Sequence, residues 1–251
     1  MTSKNDSRSI FGLALQPLTE AEAFAYLDEA IQSKRPTPVA IMNAYTAATA
    51  HGDERLKTAL ERFTVFNDGV GMDIFSMMKY GVKFPANLNG TDLTPAYLEH
   101  SRHELKIYLL GAARPVVEEV VSVLKTRFPR HSIVGYRDGY FTPDQNMAIA
   151  SDIRASGATL LLVAMGNPLQ ELWIADHFEE TGALLAIGIG ALFDFLANRV
   201  PRAPRLVRMF RAEWIFRLIR EPRRLWKRYT VSSVVFLFHA SLEALAYRLR
   251  R

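Results

Sequence analysis

The chain alternates short apolar runs with segments of helical periodicity, and this alternation limits its fold more than any other feature. The apolar runs have strand character at residues 38–42, 64–66, 106–110, 132–136, 159–164 and 184–189. The helical segments cover residues 19–33, 44–61, 74–79, 93–100, 114–127, 143–156 and 169–180. Strands joined by helices run parallel, with helices on both faces of the sheet. The pattern therefore predicts an α/β fold with a Rossmann-like parallel sheet, whose ligands bind at the carboxyl ends of the strands.

Length and composition narrow the classes of protein further. With 251 residues, 49% of them hydrophobic, the chain can bury a full core. It contains no cysteine, which excludes a disulfide framework, a thiolate metal site and a cysteine nucleophile. The first residues are polar, and no apolar run behind them reads as a secretory signal. We therefore expect a cytoplasmic location.

Residues 199–228 form a strongly basic segment. They contain eleven Lys and Arg side chains against Glu213 and Glu221, a net charge of +9 in a chain whose total is +5. Residues 1–198 carry about −6, so the positive charge belongs to the carboxyl-terminal part. Apolar and aromatic side chains lie between the charges, as a surface that meets both phosphates and hydrocarbon requires. We predict an α/β domain at residues 1–198 and a helical, arginine-rich appendage at residues 199–251.

Within this appendage, residues 231–245 are apolar but interrupted by several polar side chains. The stretch falls short of the roughly 20 apolar residues that a membrane-spanning helix needs. Two interpretations stay open: a terminal helix packed in the core, and an amphipathic helix lying on a membrane surface.

Asp68 lies in an Asp-Gly turn directly after the apolar run at 64–66. A carboxylate in such a turn can accept a proton from a sugar hydroxyl, and Gly69 and Gly71 let a ligand approach the backbone closely. The alternative is an ordinary turn with nothing bound.

A second polar turn, at residues 165–171, joins a strand to a helix that begins near Pro168. The positive end of this helix can face a phosphate next to Gly166, and Gln170 and Glu171 can bond ligand hydroxyls or the turn itself. As a phosphate site the turn is a weak signal, because it matches neither the dinucleotide fingerprint nor a P-loop.

A third turn, at residues 188–194, contains Gly188, Gly190 and Asp194. Asp194 either orients an arginine for a phosphate or is a buried structural partner of one of the arginines that follow. Asn43, at the end of the 38–42 run, is a candidate contact for a hydroxyl or a uracil.

The sequence offers no metal site. No two Asp residues stand one residue apart, so the usual metal clamp for sugar nucleotides is missing, and the six histidines are scattered. A leaving diphosphate would then be neutralised by arginines or helix ends. We expect a mechanism without a metal ion.

These turns belong to a longer ordered series of motifs. The series is Asn43, Asp68-Gly69-Val70-Gly71, Gly90-Thr91-Asp92-Leu93, Leu109-Leu110-Gly111, Gly139-Tyr140-Phe141, Gly166-Asn167-Pro168-Leu169-Gln170-Glu171, Gly188-Ile189-Gly190, Phe193-Asp194-Phe195, Arg202-Ala203-Pro204, Glu213-Trp214 with Arg217, and Glu221-Pro222-Arg223-Arg224. It resembles the WecG/TagA/CpsF family, glycosyltransferase family 26, over about residues 40–230.

The resemblance implies an inverting transfer of a sugar from a UDP donor onto a polyprenyl-diphosphate-linked sugar, without a metal or other cofactor. It implies a peripheral position on the cytoplasmic face of the inner membrane, against anionic lipid. By the same resemblance Asp68 is the general base. The arginines of the appendage hold the acceptor diphosphate, here Arg202, Arg217, Arg224 and Arg228. We place the donor site at Asn43, Asn87, Asn89, Asp92, Gly166, Gln170, Glu171, Gly188, Gly190 and Asp194.

The donor sugar is suggested by two departures from part of the family. Members that transfer N-acetylmannosamine look to have a threonine near the strand-end asparagine and an arginine three residues before the Gly-any-Asp-Leu motif, where this chain has Ile41 and Asn87. Residues 87–92 resemble the xanthan-type (GumM) branch, which implies β-1,4 transfer from UDP-glucose to glucosyl-diphospho-undecaprenol in exopolysaccharide repeat-unit synthesis. Loss of a charged contact suits a neutral hexose. An N-acetylmannosaminyl- or uronosyltransferase of the same family is the alternative.

Two rival functions use the basic segment differently. A non-catalytic scaffold of a polysaccharide assembly complex would use it as a membrane clamp. A nucleic-acid binder is disfavoured, because no recognition motif is present and the body of the chain is acidic. A homo-oligomer stays open.

Overall fold

The structure is a computed structural model that describes residues 7–201, 203, 213–220, 222–223, 226 and 230–250. Its centre is an eight-stranded sheet in the order β1-β2-β4-β3-β8-β7-β5-β6. The strands are β1 (Arg8–Ile10), β2 (Leu13–Leu15), β3 (Thr37–Met42), β4 (Thr64–Asn67), β5 (Lys106–Gly111), β6 (Ser132–Arg137), β7 (Leu160–Ala164) and β8 (Leu185–Gly188). Every neighbouring pair is parallel except β1 and β2. The predicted α/β class and parallel sheet are confirmed.

Helices cover both faces of the sheet. In the described part of the chain they are α1 (Glu20–Gln32), α2 (Ala44–Gly52), α3 (Glu54–Leu60), α4 (Val70–Tyr80), α5 (Gly90–His100), α6 (Arg114–Arg127), α7 (Asn146–Ser156), α8 (Leu169–Thr181), α9 (Leu192–Leu196), α10 (Glu213–Arg220) and α11 (Val231–Leu249).

The core is split into two layers by the sheet. Ala40 and Met42 of β3 face one buried cluster, with side chains of α2, α3, α4, α7, α8 and α11. Val39 and Ile41 face the other, with side chains of α1, α5, α6 and α9. This alternation along one strand is the period of two that a doubly covered sheet requires.

The antiparallel pair β1–β2 at the sheet edge is not among the predicted strands. Each strand has three residues, too few to show a period. They are joined by Phe11 and Gly12, whose φ angles of 51° and 86° are those of a tight hairpin turn with the right-handed twist of its strands.

The helix predicted over 44–61 is two helices. Asp53 adopts an extended conformation, φ −132° and ψ 100°, and its carboxylate accepts the N–H of Leu56, so that it ends α2 and caps α3. The predicted helices at 74–79 and 93–100 begin earlier, at Val70 and Gly90, which brings their amino termini to the strand ends.

Helix α11 packs in the core by one face, as the first interpretation predicts, and its contact with a membrane stays a prediction. Phe236 and Ala240 are buried in the cluster formed with α2 and α4. The opposite face exposes Val234, Phe238, Leu242, Leu245 and Leu249. No helix in the described ranges has the length and apolar character needed to cross a bilayer.

A buried ion pair joins α11 to the hairpin. The Lys79 ammonium on α4 lies 2.6 Å from the Glu243 carboxylate and donates to the carbonyl of Ser9 at 2.8 Å. The other oxygen of Glu243 accepts the N–H of Phe11 at 2.9 Å. The hairpin therefore helps to hold α11 on the domain.

Candidate active site

A cavity of about 760 Å³ lies at the carboxyl ends of β4, β3, β8 and β7, four neighbouring strands in the middle of the sheet. Most of the residues predicted for catalysis or donor binding line it. They are Asn43, Asp68, Asn87, Asn89, Asp92, Gly166, Gln170, Gly188, Gly190 and Asp194. The fold thus brings side chains from five separate turns into one site.

The remaining predicted residues stand apart from this set. Glu171 is fully buried next to Gln170, outside the cavity wall. Arg202, Arg224 and Arg228 lie outside the described residues. Arg217 lies on α10, and its side chain is outside the described part of the structure. Trp214, on the same helix, lines the cavity.

Asp68 follows the last residue of β4, and the first turn of α4 follows it. Its N–H donates to the carbonyl of Met42 at 2.8 Å, which ties the turn to β3. Gly69 has φ 86° and ψ 169°, a conformation that a residue with a Cβ rarely adopts. Asp68 therefore belongs to a turn at the amino-terminal end of α4.

A second loop holds this turn. The Asn67 side chain donates to the carbonyl of Ala86 at 2.8 Å, and the Leu88 N–H donates to the carbonyl of Asn67 at 3.0 Å. The Gly69 N–H donates to the side-chain oxygen of Asn87 at 2.6 Å. Residues 67–69 and 86–88 thus form one unit.

Two cavity asparagines cap helices. The side-chain oxygen of Asn43 accepts the N–H of Thr46 at 3.0 Å and begins α2. The oxygen of Asn89 accepts the N–H of Asp92 at 2.9 Å, while its amide donates to the Asp92 carboxylate at 3.0 Å. Asn89 and Asp92 therefore form the amino-terminal cap of α5 as well as part of the cavity wall.

Gln170 lies at the centre of a buried hydrogen-bond network. Its amide donates to the Glu171 carboxylate at 2.9 Å, and its oxygen accepts the N–H of Gly190 at 3.1 Å. Asn167 also donates to the Glu171 carboxylate. A Cβ on Gly188 would come within 2.7 Å of the Gln170 amide nitrogen, so a larger residue at 188 would displace the Gln170 side chain. The network fixes the backbone that lines the cavity at the end of β8.

The charges of the cavity are one-sided in the part that the structure describes. Asp68, Asp92 and Asp194 line it, and no described lysine, arginine or histidine does. No group of three or more His, Asp or Glu side chains among the described residues is arranged to hold a metal ion. An anionic ligand here would need positive charge from helix ends or from the basic segment.

Several wall residues are not among those predicted from the sequence. Ser233, Phe236 and Leu237 of α11 close one side of the cavity, next to Val70 and Ile74 of α4. No local signal in the sequence marks the residues of α11, because its packing on α4 joins segments far apart in the chain. Where α4 and α11 meet, the side chains of Val70, Ile74 and Leu237 form an apolar rim of the cavity, and each is about two-fifths exposed.

A comparison with protein families gives a match over nearly the whole chain. The family model described as "Glycosyl transferase WecG/TagA/CpsF family" matches residues 8–250. This match confirms the family inferred from the ordered motifs.

Proposed function

The chain belongs to the WecG/TagA/CpsF glycosyltransferase family, which acts on polyprenyl-linked sugars, and on that premise we propose that it transfers glucose from UDP-glucose, with inversion, onto glucosyl-diphospho-undecaprenol. The product would be a β-1,4-linked disaccharide on the lipid carrier of an exopolysaccharide repeat unit. The observation that supports this proposal most is the position of Asp68. Its carboxylate belongs to a glycine turn at the edge of a cavity large enough for a sugar nucleotide.

The proposed reaction is a single displacement. The acceptor 4-hydroxyl attacks the anomeric carbon on the face opposite the diphosphate, and the Asp68 carboxylate takes the hydroxyl proton. The bond between the anomeric carbon and the diphosphate oxygen breaks, and UDP leaves with that electron pair. The configuration at the anomeric carbon is inverted in the product.

The donor site that we propose is built mainly from amides and glycine backbone. Asn43, Asn89 and Gln170 line the cavity, and part of each side chain is already bonded within the protein. The glycines at 166, 188 and 190 allow the backbone to approach a nucleotide. A pocket lined by amides and by three aspartates, with no described basic side chain, suits an uncharged hexose better than a uronic acid. This chemistry supports glucose over the charged alternative.

The diphosphates require positive charge that the described cavity wall does not supply. Neither α4 nor α8 begins with a side-chain cap, so both offer backbone N–H groups to a phosphate. We propose that Arg202, Arg217, Arg224 and Arg228 hold the acceptor diphosphate. Helix α10, which carries Arg217, reaches the cavity through Trp214. The amino-terminal ends of α4 and α8 would stabilise the diphosphate of the leaving UDP without a metal ion.

The acceptor lipid would leave the cavity over the apolar rim of Val70, Ile74 and Leu237. The exposed face of α11 continues beyond Leu237 with Phe238 and Leu242. An apolar helix face beside a strongly basic segment is typical of a protein that binds the surface of an anionic membrane. We therefore propose a peripheral position on the cytoplasmic face of the inner membrane.

A panel of UDP sugars assayed with glucosyl-diphosphate lipid, with and without a metal chelator, tests the proposal. We expect UDP-glucose to be the preferred donor, a β-1,4 product, and unchanged turnover in the chelator. Preference for UDP-N-acetylmannosamine or a UDP-uronic acid would refute the donor assignment. Binding to anionic vesicles without transfer or hydrolysis of any UDP sugar would favour the scaffold.

A further inference from the structure

One cavity residue bonds directly to the turn that carries the proposed base. The side-chain oxygen of Asn87 accepts the N–H of Gly69, 2.6 Å away, immediately after Asp68. Gly69 is the residue just before α4, and the N–H groups at the start of a helix have no partner within the helix. The Asn87 side chain, from another loop, is the hydrogen-bond acceptor for this N–H and so helps to fix the conformation of the turn.

Among the described residues, further hydrogen bonds hold this turn on the strand side of Asp68. The Asp68 N–H is bonded to Met42, and the buried Asn67 is bonded through its side chain and its carbonyl to residues 86 and 88. On the helix side, the Gly69 N–H is bonded to Asn87. Because Gly69 has the wide conformational range of glycine, that bond restricts the backbone next to Asp68 most directly.

The loop that carries Asn87 is itself fixed at its far end. Asn89 caps α5, and a Cβ on Gly90 would lie 3.4 Å from the Cα of Ile189 in the β8 turn. Residues 86–90 therefore connect the Asp68 turn with the turn held by Gln170. An amide at position 87 also accepts the Gly69 N–H without placing a second negative charge near Asp68.

We infer that Asn87 is a positioning residue, which holds the Asp68 carboxylate in its reactive place through the Gly69 N–H. This role rests on the proposed function, in which Asp68 is the base. It replaces the donor contact expected of Asn87 from the sequence, since the side-chain oxygen of Asn87 is bonded to the Gly69 N–H.

Two variants separate the roles. Asn87→Leu has a similar shape but no acceptor oxygen, whereas Asn87→Asp keeps an acceptor and adds a charge. For Asn87→Leu we expect kcat to fall about 10- to 100-fold, the usual effect of a misplaced catalytic group, with the KM for UDP-glucose changed less than about threefold. For Asn87→Asp we expect most of kcat to return at alkaline pH. The acid limb of its pH profile moves to higher pH, because two neighbouring carboxylates resist sharing negative charge.

Hydrogen exchange of the Gly69 amide, followed by NMR, gives a readout that does not depend on activity. We expect exchange about tenfold or more faster in Asn87→Leu than in the unmodified protein, and protection retained in Asn87→Asp. An unchanged Gly69 exchange rate in Asn87→Leu, or a raised donor KM with normal kcat, overturns the inference. If Asn87→Leu does not fold, an unmoved acid limb in Asn87→Asp overturns it.

Failure of the proposed function is distinguishable from failure of this inference. Absence of sugar transfer by the unmodified protein refutes the function and leaves the exchange experiment intact. Normal transfer with Gly69 exchange independent of residue 87 refutes the inference alone.

Discussion

Side-chain amides line much of the cavity, and most of their oxygen atoms are bonded to backbone N–H groups of the protein. Asn43 and Asn89 cap helices, Asn87 holds Gly69, and Gln170 holds Gly190. The polar wall is thus arranged before any ligand arrives, which lowers the entropy lost on binding. Asp68 differs from these amides in its chemistry, because a carboxylate can act as a general base and an amide cannot.

Replacing Asp68 by Asn tests its role as the base. The amide has nearly the same shape but cannot accept the proton, so we expect turnover to fall by about two to four orders of magnitude. Single-turnover transfer to glucosyl-diphosphate lipid measures the effect, and circular dichroism with thermal unfolding checks that the fold is intact. Near-normal turnover would remove Asp68 from this role.

Gly188→Ala tests the Gln170 network. The added Cβ would come 2.7 Å from the Gln170 amide nitrogen and displace the side chain that bonds Gly190. We expect UDP to bind at least about tenfold more weakly, because the displaced amide no longer fixes the β8 turn. Calorimetric titration with UDP measures this loss.

Gly52→Ala is the matched control, since a Cβ added at Gly52 would meet no atom within 4 Å and the φ of this residue is not positive. It should bind UDP normally. Equal affinities of the two variants would show that the network does not shape the nucleotide site.

The grouping of the candidate residues around one cavity could be predicted from the sequence better than their hydrogen bonds. Asp68 is recognisable because a carboxylate before glycine at a strand end is a local pattern. The pattern Asn89 to Asp92 is equally local, and its spacing is that of a helix cap, a role not among those predicted for these residues. The bond from Asn87 to Gly69 joins two loops and has no local signal.

Elements were predictable where they are long enough to show a period. Strands β3 to β8 agree with the predicted ones to within about two residues, and most of them are continuous apolar runs of the kind that mark buried parallel strands. The hairpin at residues 8–15 could not be predicted, since its three-residue strands show no period, and Asp53 was not recognised as a break. Helix α11 was predictable, but its partners α2 and α4 follow from tertiary packing alone.

The Lys79–Glu243 pair tests how α11 is held. Glu243→Leu leaves the buried Lys79 ammonium without its carboxylate, and we expect the free energy of unfolding to fall by about 2–3 kcal/mol, discounted for the partial exposure of Glu243. The double variant Lys79→Met/Glu243→Leu should lose less than the single one, because no buried charge remains. Urea denaturation of both variants and of Lys79→Met completes the cycle. Additive losses would show that the pair is not coupled.

At the scale of the whole molecule, the cavity is lined mainly by the acidic part of the chain, and Trp214 of the basic segment also lines it. Residues 1–198 carry about −6 and residues 199–228 carry +9. The opposite net charges of these two parts favour approach of the basic segment to residues 1–198. The positive charge of the segment also favours approach of the protein to anionic lipid.

Replacing Arg217, Arg224 and Arg228 together by Ala tests the acceptor site. We expect the KM for the lipid-linked acceptor to rise at least about tenfold more than the KM for UDP-glucose, since each charge-assisted phosphate bond contributes about 1.5–3 kcal/mol. The control is the triple Ala variant of Arg55, Arg62 and Arg114, which changes the net charge by the same amount. These three arginines are exposed and distant in sequence from the basic segment. An unchanged acceptor KM would reject the assignment.

The outer face of α11 has its own test. Replacing Val234, Phe238 and Leu242 by Ser should weaken binding to anionic vesicles at least about tenfold, because three exposed apolar side chains no longer enter the interface. Val82→Ser/Met147→Ser, at exposed apolar positions on other parts of the chain, should bind normally. Vesicle sedimentation measures both, and equal binding would exclude this face.

The attachment of α11 also sets when the site becomes complete during protein synthesis. Lys79 and Glu243 are separated by 164 residues, and Phe11 and Glu243 by 232. A ribosome therefore releases the Asp68 turn and the strand ends that line the cavity long before it releases α11. Until residues 231–249 emerge, a nascent chain lacks the cavity wall formed by Ser233, Phe236 and Leu237, so the proposed reaction would require the whole chain.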